Sequence, residues 1–289
     1  MSHKHLLIIV VSYFDEMNRQ LFHGVQNALG PLQQMGWTIS MNEHVGNADL
    51  GRARNAVAAQ FLAMSTMTDL LCLDGDVSWD AGSLERLMSH PNVDLVAGCY
   101  PQRFDTGHFP VRWLPGPLTP INPSTGEPAA DGLLEVEGVP AGFMRITRAG
   151  MERMARFYAD SWYWEPLVTP LDGEPLGKAW QLFEFTVYDR GRWSEDLSFC
   201  RKFRDAGGRV WVDPLISLHH HGRKTFSGQL GNWLLDRSLP PGASLPGAPS
   251  PGKAVAGLAE ALDNHDAVLA KMNADRPEFL KAFGMGQQP

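Results

Sequence analysis

The sequence predicts an α/β protein with a mixed, mainly parallel sheet flanked by helices and with a C-terminal helical appendage. Short apolar runs alternate with longer segments of helical period, and such runs are typical of parallel strands buried on both faces. Acidic and polar residues follow several of these runs. A Pro-, Gly- and Ser-rich linker over residues 239–252 is expected to separate a domain over residues 1–238 from a helical tail over residues 253–289.

The composition is that of a globular protein. The chain has 289 residues, of which 44% are apolar, and a formal net charge of −7, which argues against general coating of nucleic acid or membrane surfaces. Cys72, Cys99 and Cys200 are far apart and are predicted to be reduced thiols. The apolar run over residues 5–11 is too short for a secretory signal or a membrane span, so we expect a cytoplasmic protein.

The first strand is predicted over residues 6–11, where the chain is continuously apolar. Ser12 and Tyr13 follow at its carboxyl end, where open α/β sheets bind ligands. Their loop is either a nucleotide contact or an ordinary turn into the next helix. That helix is predicted over residues 19–32, and a second strand over residues 37–43.

The next helix opens after Asp49 and carries Arg52 and Arg54 near its start. Arginines oppose the helix dipole there, so these side chains are expected to have anionic partners. For Arg52, a contact with substrate and a salt bridge to nearby acids are equally open. For Arg54, the sequence favours the substrate.

The most informative stretch is the strand over residues 70–73, which ends at Asp74, Gly75 and Asp76. Residues two apart in extended backbone share a side. Gly75 is expected to leave space for an approaching ligand. Oxygen ligands at the carboxyl end of a strand suit a divalent cation that carries substrate phosphates.

These acids allow two other interpretations. Asp74, Asp76, Ser78, Asp80 and Glu85 have the spacing of a calcium loop, but a tryptophan stands where that loop needs glycine. Alternatively the acids are helix caps. The sequence favours the metal–phosphate site, with Asp80 capping a helix that runs to residue 89.

The middle of the chain is predicted to contain a core strand, a loop excursion with one short strand, an alternating strand, a return to the core and a helix. The core strand covers residues 93–97, and the loop excursion covers residues 104–131 with its strand at 111–114. The alternating strand covers residues 133–137, the return to the core residues 139–146, and the helix residues 148–158. Residues 98–103 form another loop at a strand's carboxyl end.

Residues 159–181 are expected to be irregular and contain Trp162, Trp164 and Trp180. Packing under the loop is the favoured role for these rings, over stacking on sugars or bases. A strand is predicted over residues 183–187.

The helix that begins near Ser194 carries Glu195 and Asp196 in its first turn and stops at two glycines, 207 and 208. This acidic pair is either a routine helix start or the source of a catalytic base at the carboxyl edge, and the second is favoured because no Ser-His-Asp set, P-loop or Gly-x-Gly-x-x-Gly motif competes for that role. Strands are predicted over residues 209–213 and 216–220, the second ending in three histidines that close the core. One histidine either completes the metal site with Asp76 or belongs to an exposed run.

Together these motifs resemble nucleotide-sugar-dependent glycosyltransferases of the GT-A fold, particularly bacterial and phage members near the large inverting family 2. The resemblance spans roughly residues 5–226. It rests on Ala53-Arg54-Asn55, the Asp-x-Asp strand end Leu71 to Trp79, Val96 to Pro101, Gly138 to Phe143, Trp193 to Cys200, and Leu218 to Gly222 with Phe226.

The resemblance implies a GT-A, Rossmann-like sheet and a Mn²⁺ or Mg²⁺ ion bridging the donor diphosphate. It implies that Asp76 coordinates the ion, with Asp74 as a further ligand that also contacts the ribose or donor sugar. His220 matches a metal-binding histidine, although His219 and His221 are alternatives. Ser12, Tyr13, Arg54, Asn55 and Gly75 then line the nucleotide side.

The resemblance also implies that Asp196 deprotonates an acceptor hydroxyl with support from Glu195, and that Gly142 and Trp193 lie on the acceptor side. A nucleoside diphosphate sugar, with UDP-sugar favoured, is the expected donor. The acceptor is a glycan, a small molecule or a modified DNA base, for which residues 103–112 and 223–224 offer a basic rim.

Two alternatives stay open. A metal-dependent nucleotidyltransferase uses similar carboxylate and metal chemistry, but such enzymes usually carry a Gly-rich basic loop after the first strand, and this chain has none there. A binding module would hold the nucleotide sugar without transferring it.

Overall fold

The computed structural model describes residues 4–13, 18–104, 107–165, 177–188, 190–222 and 224–238. The predicted linker and C-terminal helical tail lie outside the described residues. The chain divides into two compact units, one formed by residues 1–114 with 133–230 and one that includes residues 115–132 with 231–238. All the candidate site residues belong to the first unit.

The strands and helices are as follows. The strands are β1 (Lys4–Ser12), β2 (Trp37–Val45), β3 (Asp69–Asp74), β4 (Val77–Trp79), β5 (Leu95–Ala97), β6 (Arg112–Trp113), β7 (Leu134–Gly138), β8 (Phe143–Thr147), β9 (Trp162–Tyr163), β10 (Ala179–Trp180), β11 (Thr186–Tyr188), β12 (Gly191–Trp193), β13 (Val210–Val212), β14 (Ser217–His220) and β15 (Phe226–Gln229). The helices are α1 (Arg19–Gln34), α2 (Leu50–Ala63), α3 (Ser83–Met88), α4 (Arg148–Phe157), α5 (Glu195–Asp205) and α6 (Leu230–Ser238), with a 3₁₀ turn at Ala159–Ser161.

A mixed eight-stranded sheet in the order β2-β1-β3-β8-β5-β13-β7-β6 forms the core of the first unit. Strands β7 and β8 run against the others, so the sheet is mainly parallel in direction, as predicted. The side chains of β1 from Leu6 to Val10 are almost fully buried. Burial on both faces explains why this strand is continuously apolar.

The strand register brings the carboxyl ends together. Val11 of β1 lies opposite Asp74 of β3, and Leu73 lies opposite Phe143 of β8. The Asp74 N–H donates to the carbonyl of Gly142 at 3.0 Å, and the Gly75 N–H donates to that of Val11 at 2.9 Å. Three chain segments that are distant in sequence therefore meet at Asp74.

A second, three-stranded sheet has the order β15-β14-β4, and its β4 was not predicted. Val77 of β4 lies opposite His220 of β14, and the His221 N–H donates to the carbonyl of Asp76 at 2.8 Å. Asp76 thereby lies beside the histidines. Because the chain enters β4 after Asp76, the helix-cap interpretation of the acidic pair is wrong.

Several other predictions need correction. Helix α3 begins at Ser83 after Gly82, with no side-chain cap, while Asp80 pairs with His219 instead of capping it. Ser194 precedes α5 as predicted, but its hydroxyl donates to Asp196 and not to the helix backbone. The histidines do not close the core, because β15 and α6 follow them.

The exposed aromatic residues also depart from expectation. Trp162 is 50% exposed and Trp164 is 68% exposed, so packing under the loop is wrong for both; Trp180 is half-buried. The strand predicted over residues 183–187 starts only at Thr186.

Other sequence predictions hold. Strand β7 alternates buried and half-buried side chains, and the three cysteines are free and buried. Within the described ranges, none of the helices has the length and apolar character to cross a bilayer.

Candidate functional site

A buried guanidinium lies at the centre of the carboxyl edge. Arg54 projects from α2 with 2% of its side chain exposed; its Nη2 donates to Asp74 Oδ1 at 2.8 Å and its Nη1 donates to Glu195. Burial opposes the charge, but the carboxylates of Asp74, Asp196 and Glu195 outweigh it and raise the pKa of Arg54. Arg54 is thus a permanent cation that neutralises an acidic cluster.

The two arginines of α2 both form salt bridges. Arg52 makes a bidentate pair with Glu165, with N–O distances of 2.8 Å. For Arg52 this was one of two open interpretations. For Arg54 the sequence favoured a substrate contact, and the structure places its guanidinium against protein carboxylates instead.

Asp74 is held on both carboxylate oxygens. Its Oδ1 accepts from Arg54, and its Oδ2 accepts from the Tyr100 hydroxyl at 3.0 Å. A Cβ at position 142 would lie 2.2 Å from Asp74 Oδ2 and 2.7 Å from the Tyr100 oxygen. Gly142 therefore lies in the predicted site and is required there because the carboxylate fills the space of a side chain.

The structure gives a reason for glycine at position 75 that differs from the predicted one. A Cβ at this position would lie 2.9 Å from the Cβ of Ser12, so the glycine is needed to accommodate the end of β1, and its place on the nucleotide side stays a prediction. The Ser12 carbonyl accepts from the N–H of Gly46, and Tyr13 is 58% exposed at the same edge. The nucleotide-binding role of Ser12 and Tyr13 stays a prediction.

Asp76 is the more exposed of the two acids Asp74 and Asp76. Its side chain is 43% exposed, contacts the guanidinium of Arg103, and has its Oδ2 3.8 Å from His220 Nε2. The other His220 nitrogen, Nδ1, lies 3.0 Å from the carbonyl of Pro101. Because a carbonyl only accepts, Nδ1 carries the hydrogen and Nε2 presents its lone pair toward Asp76.

The three histidines differ in their surroundings. His219 contacts Asp80 and Ser227, and His221 contacts Ser78 and Thr225, so each has both ring nitrogens engaged. Burial lowers the pKa of His220, which favours the neutral imidazole that binds metals. Of the three, His220 is the one whose ring nitrogen faces Asp76.

The residues around Asp76 fit part of a metal site. A neutral imidazole held by a backbone carbonyl, next to a carboxylate, is a common ligand arrangement. No group of three His, Cys, Asp or Glu side chains suited to a metal occurs in the part of the chain that the structure describes. One carboxylate and one imidazole would supply two ligands of a divalent cation and leave its other positions open.

The loop after β5 supplies residues to which the sequence gave no role beside the acidic pair. Tyr100 donates to Asp74, Pro101 orients His220, and Arg103 contacts Asp76. The Tyr100 ring also lies 4.7 Å from that of His220, and burial together with Asp74 raises the pKa of Tyr100, keeping its hydroxyl a donor. The sequence feature that pointed to these three residues was their place in a loop at the carboxyl end of a strand.

Asp196, the predicted base, lies half-buried at the start of α5. Its Oδ1 accepts from the Ser194 hydroxyl and from the Leu197 N–H, and no donor among the described residues reaches Oδ2. Its charge acts on Arg54 and Tyr100, which places it near the cluster. Burial raises the pKa of Glu195, and Arg54 partly offsets that rise.

Asn55, predicted on the nucleotide side, is instead buried with its amide committed to the backbone of residues 182–183. Its Oδ1 accepts from the N–H groups of Leu182 and Phe183 at 2.9 and 2.7 Å, and its Nδ2 donates to the Phe183 carbonyl at 3.0 Å. The hydrogen bonds of the Asn55 amide thus connect α2 to residues 182–183.

Trp193, predicted on the acceptor side, is only 3% exposed and lies under the guanidinium of Arg112, 3.9 Å from its ring centre. It packs in the interior and has no open face for an acceptor. Arg103 and Arg112 of the predicted basic rim are thus both engaged, and Arg223 lies outside the described residues.

No family model matches the sequence, and no curated protein matches it. Similar solved structures include the crystal structure of A197 from STIV, which is 15% identical in sequence with a TM-score of 0.38; the alignment covers 78% of this chain and 94% of that protein's chain. They also include the catalytic domain of Drosophila β1,4-galactosyltransferase 7 in complex with xylobiose, which is 15% identical with a TM-score of 0.38; this alignment covers 76% of this chain and 67% of the other. Likeness at this level assigns neither a fold family nor an activity.

Proposed function

We propose that this protein is a metal-dependent glycosyltransferase of GT-A type that moves a sugar from a nucleoside diphosphate sugar, with UDP-sugar favoured, to an acceptor hydroxyl. One observation carries the proposal. Asp76 and His220 converge at the carboxyl edge where Arg54 also gathers Asp74, Glu195 and the charge of Asp196. Candidate metal ligands and a candidate base thus share one edge.

Donor binding is assigned to Asp76 and His220, which would hold Mn²⁺ or Mg²⁺ through one carboxylate and one neutral imidazole. When bound, the ion supplies Lewis-acid stabilisation of the negative charge on the leaving diphosphate. Asp74, fixed by Arg54 and Tyr100, offers its 19% exposed edge to the donor sugar or ribose.

Acceptor activation is assigned to Asp196. Ser194 and the Leu197 N–H hold its Oδ1, which leaves Oδ2 to accept the proton of the acceptor hydroxyl as the new glycosidic bond forms. Glu195 does not touch the acceptor in this scheme; it holds Arg54, whose positive charge balances the neighbouring carboxylates.

The test is thermal unfolding with UDP, GDP, dTDP and CMP, each with and without Mn²⁺. A nucleoside diphosphate should raise the melting temperature by several degrees only when Mn²⁺ is present. Asp76→Ala should abolish this shift. Asp80→Ala, which removes an exposed carboxylate paired with His219, is the matched control and should retain it.

Product analysis separates the alternatives. Release of a nucleoside diphosphate from a nucleotide sugar supports transfer, whereas release of pyrophosphate from a nucleoside triphosphate supports a nucleotidyltransferase. Metal-dependent binding without product, over a panel of glycan, small-molecule and hydroxylated DNA acceptors, supports a binding module.

A further inference from the structure

Arg103 occupies a position that a bound cation would need. Its guanidinium contacts Asp76 Oδ2, the same oxygen that lies 3.8 Å from His220 Nε2. The side chain runs past Gly222, where an added Cβ would touch its Cδ and Nε at 3.5 Å. A positive charge of the protein itself therefore balances the open carboxylate of the proposed metal site.

This ion pair is easily exchanged. Arg103 is 42% exposed and Asp76 43% exposed, and solvent screens such a pair strongly. The remaining contacts of the loop, from Tyr100 to Asp74 and from Pro101 to His220, do not involve the Arg103 side chain. The guanidinium can leave Asp76 by side-chain rotation while the loop stays in place.

We infer that Arg103 stands in for the divalent cation in the free protein and turns to the substrate diphosphate when a cation takes Asp76. The inference rests on the proposed metal-dependent function. A released guanidinium beside a diphosphate finds the planar, bidentate partner that arginine binds best. One side chain thus opposes binding of the free ion and favours binding of the ion with its diphosphate.

The opposite effects of Arg103 on these two affinities distinguish the proposed role from a purely structural one. A residue that merely supports the loop would, on removal, weaken both kinds of binding. A residue that stands in for the cation would, on removal, strengthen binding of the free ion and weaken binding of the complex.

The experiment measures the affinity for Mn²⁺ alone by electron paramagnetic resonance, which detects the unbound ion, and the affinity for Mn²⁺–pyrophosphate by calorimetry. Both are measured in the native protein and in three variants. Arg103→Gln should bind Mn²⁺ alone about two- to fivefold more tightly, the range of an exposed ion pair. It should bind Mn²⁺–pyrophosphate about tenfold more weakly, since charge-assisted hydrogen bonds are lost. Arg103→Lys should bind Mn²⁺ alone as the native protein does, because it keeps the charge.

Arg156→Gln is the matched control. Arg156 is 70% exposed and pairs with Glu152 on α4, so the variant removes the same charge from another surface ion pair. It should leave both affinities unchanged, and thermal unfolding should show that every variant stays folded. Equal tightening of Mn²⁺ binding in Arg156→Gln would assign the effect to net charge and overturn the inference.

Two further outcomes separate the inference from the function on which it rests. If the native protein binds Mn²⁺ and Arg103→Gln weakens both affinities, or changes neither, Arg103 has no stand-in role while the metal site survives. If the native protein binds Mn²⁺ neither alone nor with pyrophosphate, the proposed metal site fails and the inference with it.

Discussion

The two arginine–aspartate pairs at the carboxyl edge differ mainly in burial. Arg54 is 2% exposed and holds both Asp74 and Glu195, whereas Arg103 is 42% exposed and holds Asp76 alone. Breaking a buried pair leaves an uncompensated charge in a low-dielectric interior, while an exposed pair exchanges its partner for water. The same residue types therefore give a fixed scaffold in one place and an exchangeable contact in the other.

Removing each arginine should give the largest contrast. Arg54→Met leaves the buried carboxylate of Glu195 and the partly buried one of Asp74 without their cation and should lower the free energy of unfolding by about 3–5 kcal/mol. Arg103→Met should lower it by less than about 1 kcal/mol. Urea unfolding at neutral pH measures both; similar losses for the two variants would mean that burial does not separate the pairs.

Gly142→Ala tests how tightly the buried cluster is packed. The new Cβ would lie 2.2 Å from Asp74 Oδ2, so Asp74 must move, and overpacking of this kind costs about 1–3 kcal/mol. Gly30→Ala is the control, because its Cβ meets nothing within 4 Å besides its chain neighbours at an exposed position of α1; the contact of this Cβ with Pro31 limits the gain in helix propensity, so the free energy of unfolding should change by less than about 1 kcal/mol. Thermal unfolding should show a clear loss for Gly142→Ala and a much smaller shift for Gly30→Ala, and equal losses would contradict the packing.

Asn55→Ala tests whether the amide connects α2 to residues 182–183 or contacts a nucleotide. The change leaves the buried N–H of Phe183 unpaired, while the N–H of Leu182 keeps its second acceptor, the Trp180 carbonyl, so the cost should be about 1–3 kcal/mol. Amide hydrogen exchange should become faster at Phe183. Unchanged exchange combined with weaker nucleotide binding would instead restore the role that the sequence predicted for Asn55.

The smallest expected effect on stability belongs to Asp76. Asp76→Asn removes the charge of a half-exposed carboxylate and should change the free energy of unfolding by less than about 1 kcal/mol. Stabilisation by Mn²⁺ with a nucleoside diphosphate should nevertheless be lost. A variant that keeps this stabilisation would remove Asp76 from the proposed metal site.

The sequence by itself determined the core strands β1 and β3 and the position of the acids that follow β3. Continuous apolar runs identify β1 and β3 because both faces of these strands are buried, and the run in β3 ends at the acids that follow it. The start of α5, with Glu195 and Asp196 in its first turn, is also a local property. Such features depend on composition and period within about ten residues.

Only the tertiary structure decided which partners these residues have. Arg54 meets Glu195 across 141 positions of sequence, and Tyr100 meets Asp74 across 26. The register of β14 against β4 selects His220 over its neighbours to face Asp76, since a shift of one residue turns every side chain to the other face. Period and composition report whether a side chain is buried, but the contact that it makes there depends on strand register and loop path.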